Sequence, residues 1–248
     1  MYIAKSILKR FCTLDTKRRN HLTYYDFKNN KVKRMNARDF NIEINYYSQS
    51  NEENLNAFCE APMSQTIKRL ENAYTHYGTN FCVHDRDFDT IISYITFQLL
   101  RDSYVFRECK KRGILPDGID ERTFKNQLIG YESRHSFFAE VFHDVGIQFV
   151  FNKSVYPFLI TSGTSTLFSD SDKYYIIQIT LTPEIAVFVT NEESMKKALR
   201  SNNRYGVIDC VSSDWVLQYN KSIFLKATKY PPCILVSKDE KSILDVLQ

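Results

Sequence analysis

The stretch YYIIQITLTPEIAVFVT, residues 174–190, decides the fold class. Its two runs, 174–181 and 185–190, are rich in Ile, Val, Thr, Phe and Tyr, side chains that suit a pleated surface. Thr182-Pro183-Glu184 lies between them, and a proline there reads as a turn. An antiparallel pair is therefore expected. Two further strand-like runs, 147–152 and 157–162, lie upstream.

The pattern changes on either side of this block. Residues 52–77 place Met63, Ile67, Leu70, Tyr74 and Tyr77 at helical spacing, with a bend expected near Pro62. Helices are expected over 86–111, with Asp85 as N-cap, and over 121–143, with Asp120 as N-cap. Downstream, helices are expected near 192–200 and 207–226. Tyr230–Val236 reads as a strand that Pro231 and Pro232 push to a sheet edge. Ser237-x-x-Glu240 has the form of a capping box that opens a last helix. At the N-terminus, 3–11 reads as a short amphipathic helix. Leu22–Phe27 and Val32–Met35 flank a Lys28–Lys31 turn and read as a hairpin.

The expected fold class is α+β: a helical N-terminal half with a basic β-hairpin, then a small antiparallel sheet, then C-terminal helices. One domain is expected over 1–248. Its parts are a basic helix-hairpin segment (1–38), a helical region (52–143), a sheet region (147–190) and C-terminal helices (192–248).

Composition narrows the function classes. With 43% hydrophobic and 25% charged residues, the chain has the balance of a folded protein. Seven glycines and the absence of G-x-G-x-x-G or G-x-x-x-x-G-K-[ST] argue against a glycine-rich phosphate cradle. No apolar run suits a membrane span, and residues 1–11 lack the apolar core of a signal peptide. The six cysteines are widely spaced without a C-x-x-C pair, so reduced thiols in a cytoplasmic setting are expected, with no zinc site and no cofactor.

Charge is distributed unevenly. Residues 1–38 carry 11 Lys/Arg, including Lys5, Lys9, Arg10, Arg18, Arg19, Lys31, Lys33 and Arg34, against Asp15 and Asp26. The other 210 residues hold 22 basic and 27 acidic groups. Tyr2, Phe11, Tyr24, Tyr25 and Phe27 alternate with these cations. Cations suit phosphates and aromatics suit bases, so RNA or DNA is an expected partner of this segment. A solvated, lysine-protected sheet edge is the competing interpretation.

Several polar residues fall on apolar helical faces. Stepping 100° per residue along 86–111 puts Gln98 and Asp102 on the line of Ile91, Ile95, Val105 and Cys109. Buried there, both need partners, and Arg101 lies about a quarter-turn away. On 121–143, His135 interrupts a stripe of Phe124, Leu128, Tyr131, Phe138 and Phe142. Each residue could be a satisfied core group. Gathered in one pocket, His135, Asp102 and Arg101 could instead perform acid–base chemistry on a phosphodiester or amide. Arg69 and His76 have the R-x-x-x-x-x-x-H spacing of some helical ribonuclease toxins. A chain with 14 Arg and 5 His gives about one such match by chance.

Several segments, taken in order, resemble a bacterial family catalogued as a domain of unknown function, number four-two-three-eight. YIAKSILKRF (2–11) resembles its opening, and Tyr24–Phe27 its basic hairpin. Ile95–Arg101 resembles its F-x-x-x-Q-x-x-R helix. Pro157–Ser162 resembles its P-F-I-T-S segment, and Ile179–Pro183 its strand ending in L-S-P. Asn220 resembles a late Asn that precedes a helix. Met1, Ala4, Gly163 and Ser165 depart from the family's His, Pro, Asp and Pro. The resemblance covers almost the whole chain and carries Gln98 and Arg101 onto matching positions, with Thr161 and Ser162 at a strand end. It implies a bacterial protein often encoded near mobile elements.

The leading expectation is a nucleic-acid-acting, RNA-directed effector in phage defence or a toxin-like system. In it, Gln98, Arg101, Asp102, His135 and Ser162 line a metal-independent nuclease site. The alternatives are a non-catalytic module whose basic surface binds a protein partner or a second copy of the chain, and a hydrolase of another class that uses Ser162 or a cysteine.

Overall fold

The computed structural model describes residues 5–17, 19–40, 47–136, 144–161, 165–168, 175–193, 196, 205–229 and 235–248. In chain order the elements are α1 (Lys5–Leu8), β1 (Thr13–Leu14), β2 (Asn20–Asp26), β3 (Lys31–Asn36) and α2 (Gln49–Leu55). A π-helical turn (Asn56–Glu60) leads into α3 (Ala61–Tyr77), followed by α4 (Asp85–Arg101), α5 (Ser103–Lys111) and α6 (Glu121–His135). Then come β4 (Gly146–Asn152), β5 (Ile160–Thr161), β6 (Ser165–Phe168), β7 (Tyr175–Thr182), β8 (Ile185–Thr190) and β9 (Tyr205–Cys210). The chain closes with α7 (Ser213–Lys229), β10 (Leu235–Ser237) and α8 (Glu240–Leu247). The fold is α+β, and among the described residues no helix is long and apolar enough to cross a membrane.

The hairpin that decided the fold class forms as expected. β7 and β8 pair antiparallel around Pro183-Glu184, with a bulge at Thr180–Thr182. β4 adds to β8 antiparallel, and β9 adds to β4 parallel, giving the order β6-β7-β8-β4-β9. Sequence predicted helix over 207–226, yet 205–210 is a strand and the helix starts at Ser213. Val207 and Ile208 suit either state, and the ladder offered by β4 settles the choice.

The second sheet joins distant parts of the chain. β10 lies between β2 and β5, antiparallel to both, and β3 pairs along the other edge of β2. The strand expected at a sheet edge is therefore interior. Pro231 and Pro232 lie outside the described residues, and pairing starts at Leu235. The last helix is capped by Asp239, whose carboxylate accepts the Ser242 N–H, and not by Ser237. Ser237 lies in the strand and accepts the Asp239 N–H.

Two apolar clusters lie against these sheets. The larger gathers α3 and α4 with Leu22 and Val236 of the one sheet and Ile147, Phe149, Ile179 and Val187 of the other. The smaller packs α7 and α8 on Tyr25 and Leu235 and on Val150 and Ala186. α4 is buried on almost every side from Ile91 to Arg101, as a helix at the centre of a core must be. The single helix expected over 86–111 breaks at Asp102, where the backbone turns extended. Asp85 is its first residue and His84 its N-cap. The bend near Pro62 is the π turn: proline lacks an N–H and clashes with the carbonyl four residues back, so the preceding turn widens.

Asn220, fully buried on α7, clamps the approach to β5. Its Oδ1 accepts the Leu159 N–H at 2.9 Å and its Nδ2 donates to the Pro157 carbonyl at 2.9 Å. Asn220→Ala strands both backbone groups. At about 1–3 kcal/mol per unsatisfied buried group, a loss of about 2–4 kcal/mol is expected. Urea unfolding should show a lower midpoint at an unchanged slope. A loss below about 0.5 kcal/mol would mean that the clamp contributes little.

Candidate functional site

Arg101 ends α4 inside the protein, its side chain 1% exposed. Its Nη2 donates to Glu60 Oε1 at 3.0 Å, and its guanidinium lies 5.7 Å from the centre of the Tyr47 ring. Glu60 closes the π turn, so the widened turn presents a carboxylate to a buried cation. Cys59 beside it is fully buried, and burial pushes its thiol up to about 12. Burial also pushes the Tyr94 hydroxyl well above its ordinary value. Neither group is a nucleophile or base near neutrality. Gln98 is buried as expected, with its amide nitrogen unbonded among the described residues.

A cavity of about 460 Å³ opens in front of Glu60, lined by Ser6, Glu52, Asn56, Ser64 and Gln65. Arg101 lies behind Glu60 and does not line it. The cavity therefore offers carboxylates, amides and hydroxyls without a cation or a histidine. Among the described residues no three His, Cys, Asp or Glu side chains converge as a metal site would require.

The described members of the expected catalytic set differ in burial. α6 turns a different face inward from the one its aromatics suggest. Lys125, Ile129 and Glu132 are buried, while Tyr131 is 45% exposed and Phe124 and Leu128 are half-buried. Lys125 is carried inward by an ion pair with Glu121, 2.7 Å apart. His135 is exposed on the last turn of α6, its ring 4.4 Å from that of Tyr131. Arg101 is thus sealed from solvent while His135 faces it. Asp102 is half-buried at the break after α4. Phe138, Phe142 and Ser162 lie outside the described residues. Arg69 is committed to the buried carboxylate of Asp87, through Nε at 2.9 Å and through Nη2. Arg69 thus has a structural partner, and His76 is exposed with its Nδ1 2.7 Å from the Asn72 carbonyl.

The basic segment divides cleanly. Asp26 accepts from Lys33 Nζ at 2.5 Å and from Asn29 Nδ2 at 2.7 Å. Asp15 accepts from Arg19 Nε at 2.8 Å and lies 3.1 Å from His21 Nε2. Arg10 pairs with Glu71. The remaining described cations, Lys9, Lys17, Lys28, Lys31, Arg34 and Arg38, are exposed and have no ion pair among the described residues. Arg34 donates to Thr13 Oγ1 at 3.0 Å. Asn30, at φ +50°, makes the hairpin turn that separates Lys28 from Lys31. Arg18 and the Lys5 side chain lie outside the description.

Tyr2 lies outside the described residues, and the described interleaved aromatics are packed against other parts of the protein. Phe11 is fully buried, and Tyr25 nearly so. Tyr24 packs edge-on against Phe40 at 5.2 Å, and Phe27 stacks on Phe224 at 5.6 Å. The period-2 alternation of the strand places Tyr24 and Tyr25 against different cores.

Comparison with family models, curated proteins and solved structures finds no match for the chain.

Two outcomes follow from this geometry. Arg101→Met leaves the largely buried Glu60 without its cation and should cost about 3–5 kcal/mol in urea unfolding. Adding Glu60→Gln should recover much of that loss, and additive losses would show that the pair is uncoupled. The second outcome concerns pH. Lys33 and Asn29 hold the Asp26 carboxyl well below its ordinary 3.8, and hydrogen bonding from Arg19, backbone first, does the same for Asp15. A depressed folded-state value stabilises the hairpin above 3.8, and that contribution is lost as pH falls below it. Amide protection across 20–36 should hold at about pH 5–7 and decline below 3.8, less steeply in Asp26→Asn.

Proposed function

We propose that the protein binds nucleic acid non-catalytically, gripping the phosphate backbone with the solvent side of its N-terminal hairpin. The observation that carries this is the fate of charge in the segment. Both of its carboxylates are used internally, while six cations stand exposed on and around an outer strand. Clustered cations next to neutralised acids make a local positive potential that favours polyanions. Packing of the described aromatics, Phe11, Tyr24, Tyr25 and Phe27, supports contact through phosphates over stacking on bases, so little preference among base sequences is expected. Burial of Arg101 away from solvent supports binding over cleavage.

Titrating fluorescent single-stranded RNA, single-stranded DNA and duplex across salt tests this. With about six phosphate contacts, log K against log salt should fall with a slope of roughly −4 for single strands and −5 for duplex. Lys31→Gln and Arg34→Gln should each reduce that slope by about one while leaving the unfolding midpoint in place. Binding that ignores salt, or no binding at about 50 mM salt, would overturn the proposal and turn attention to protein partners.

A further inference from the structure

Trp215, the single tryptophan of the chain, lies in the first turn of α7 and is 39% exposed. Its ring is held from the protein side. It stacks on Tyr219 at 5.7 Å with the planes 18° apart, and it meets Phe188 at 5.9 Å and Phe158 at 6.3 Å. The turn that carries it is capped, since Ser212 Oγ accepts the Trp215 N–H at 3.2 Å. An indole fixed by three rings and still more than a third exposed has the form of a stacking platform.

A row of side chains leads from this platform to the hairpin. Residues three apart are neighbours on a helix surface, so Trp215, Gln218, Lys221 and Phe224 make one oblique row across α7. Gln218 is exposed, and Lys221 is half-buried with no ion pair among the described residues. Phe224 closes the row against the hairpin, its ring stacked on Phe27 at 5.6 Å and 5.9 Å from that of Tyr25. Phe27 directly precedes Lys28 and the turn to Lys31. At about 5–6 Å per step, the row covers about 15–18 Å, the reach of a few nucleotides. Asp214, exposed beside Trp215, opposes an anion at that end. The Trp215 end therefore suits a base, while Lys221 and the hairpin cations suit phosphates.

We infer that the nucleic acid is single-stranded and runs from the hairpin over Lys221 to stack a base on Trp215. This rests on the nucleic-acid reading of the hairpin and narrows it. Bases in a duplex are already paired and stacked, so an unpaired base reaches the indole without the cost of unstacking. Every base has a π-face, so the platform selects the type of strand and not its sequence.

Because Trp215 is the only tryptophan, its emission reports the contact directly. The full chain is titrated with a fluorescent single-stranded oligothymidylate and with a duplex of the same length at fixed low salt, and unlabelled copies of both are used to follow tryptophan emission. The single strand should quench that emission and the duplex should leave it nearly unchanged. Trp215→Leu should weaken single-strand binding at least about 5-fold and leave duplex binding within about 2-fold. Trp215→Phe keeps a ring and should retain most of the affinity, which separates a lost platform from a disturbed fold. Lys221→Gln should lower the single-strand salt slope by about one. Single-strand binding with unchanged emission, and with equal affinity in Trp215→Leu, overturns the platform and leaves the hairpin reading standing. Absence of binding to either nucleic acid overturns both. A fall in sedimenting mass in Trp215→Leu at unchanged nucleic-acid affinity also overturns the platform, and marks the tryptophan as a contact between copies of the chain.

Discussion

A three-residue strand holds the architecture together. Leu235, Val236 and Ser237 are fully buried, and they pair on one side with the N-terminal hairpin and on the other with β5. An isolated two-stranded hairpin is marginal in water. Here β10 supplies a third strand, and its two faces join different cores, Val236 in the larger and Leu235 in the smaller. The hairpin's basic outer strand is consequently presented on a fixed frame, next to helices drawn from the other end of the chain.

That frame determines which charges are used inside and which face solvent. Arg101 and Glu60 are taken inward together, and a buried cation is tolerable there because a carboxylate lies 3.0 Å away and the Tyr47 ring adds a further contact. On the hairpin the same economy works in reverse. Asp15 and Asp26 are satisfied by their own neighbours, so the six exposed cations have no carboxylate partner among the described residues. Arg101, singled out by its place on the helix and by resemblance, is paired inside the protein with Glu60, whereas the exposed lysines and arginines around the hairpin have no ion pair among the described residues.

How much could be read in advance depended on the range of the interaction. The β7–β8 hairpin, the Asp120 cap and the Lys28–Lys31 turn were legible because each is decided within a few residues. α6 was misjudged on its inward face. Its aromatic stripe looked like the core side, but the Glu121–Lys125 pair let a lysine go inward beside Ile129, leaving Tyr131 and His135 outside. Residues 205–210 were read as helix because their pattern fits both states and only β4 favours a strand. Of the candidate site, the burial of Gln98 was foreseen, while the pairing of Arg101 with Glu60 was not. Pro62 gave the available hint, since a proline inside a helical pattern marks a distorted turn, and distorted turns often carry special residues.

The sequence by itself determined the α+β class, the regular elements with strong local patterns, and the excess of positive charge in the first 38 residues. Only the tertiary structure decided which strands share a sheet, which face of α6 is buried, and which cations stay exposed. The reason is physical: periodicity and capping act over one or two turns. Burial and ion pairing depend on groups that approach from far along the chain, as Glu60 does to Arg101 and Leu235 to Tyr25.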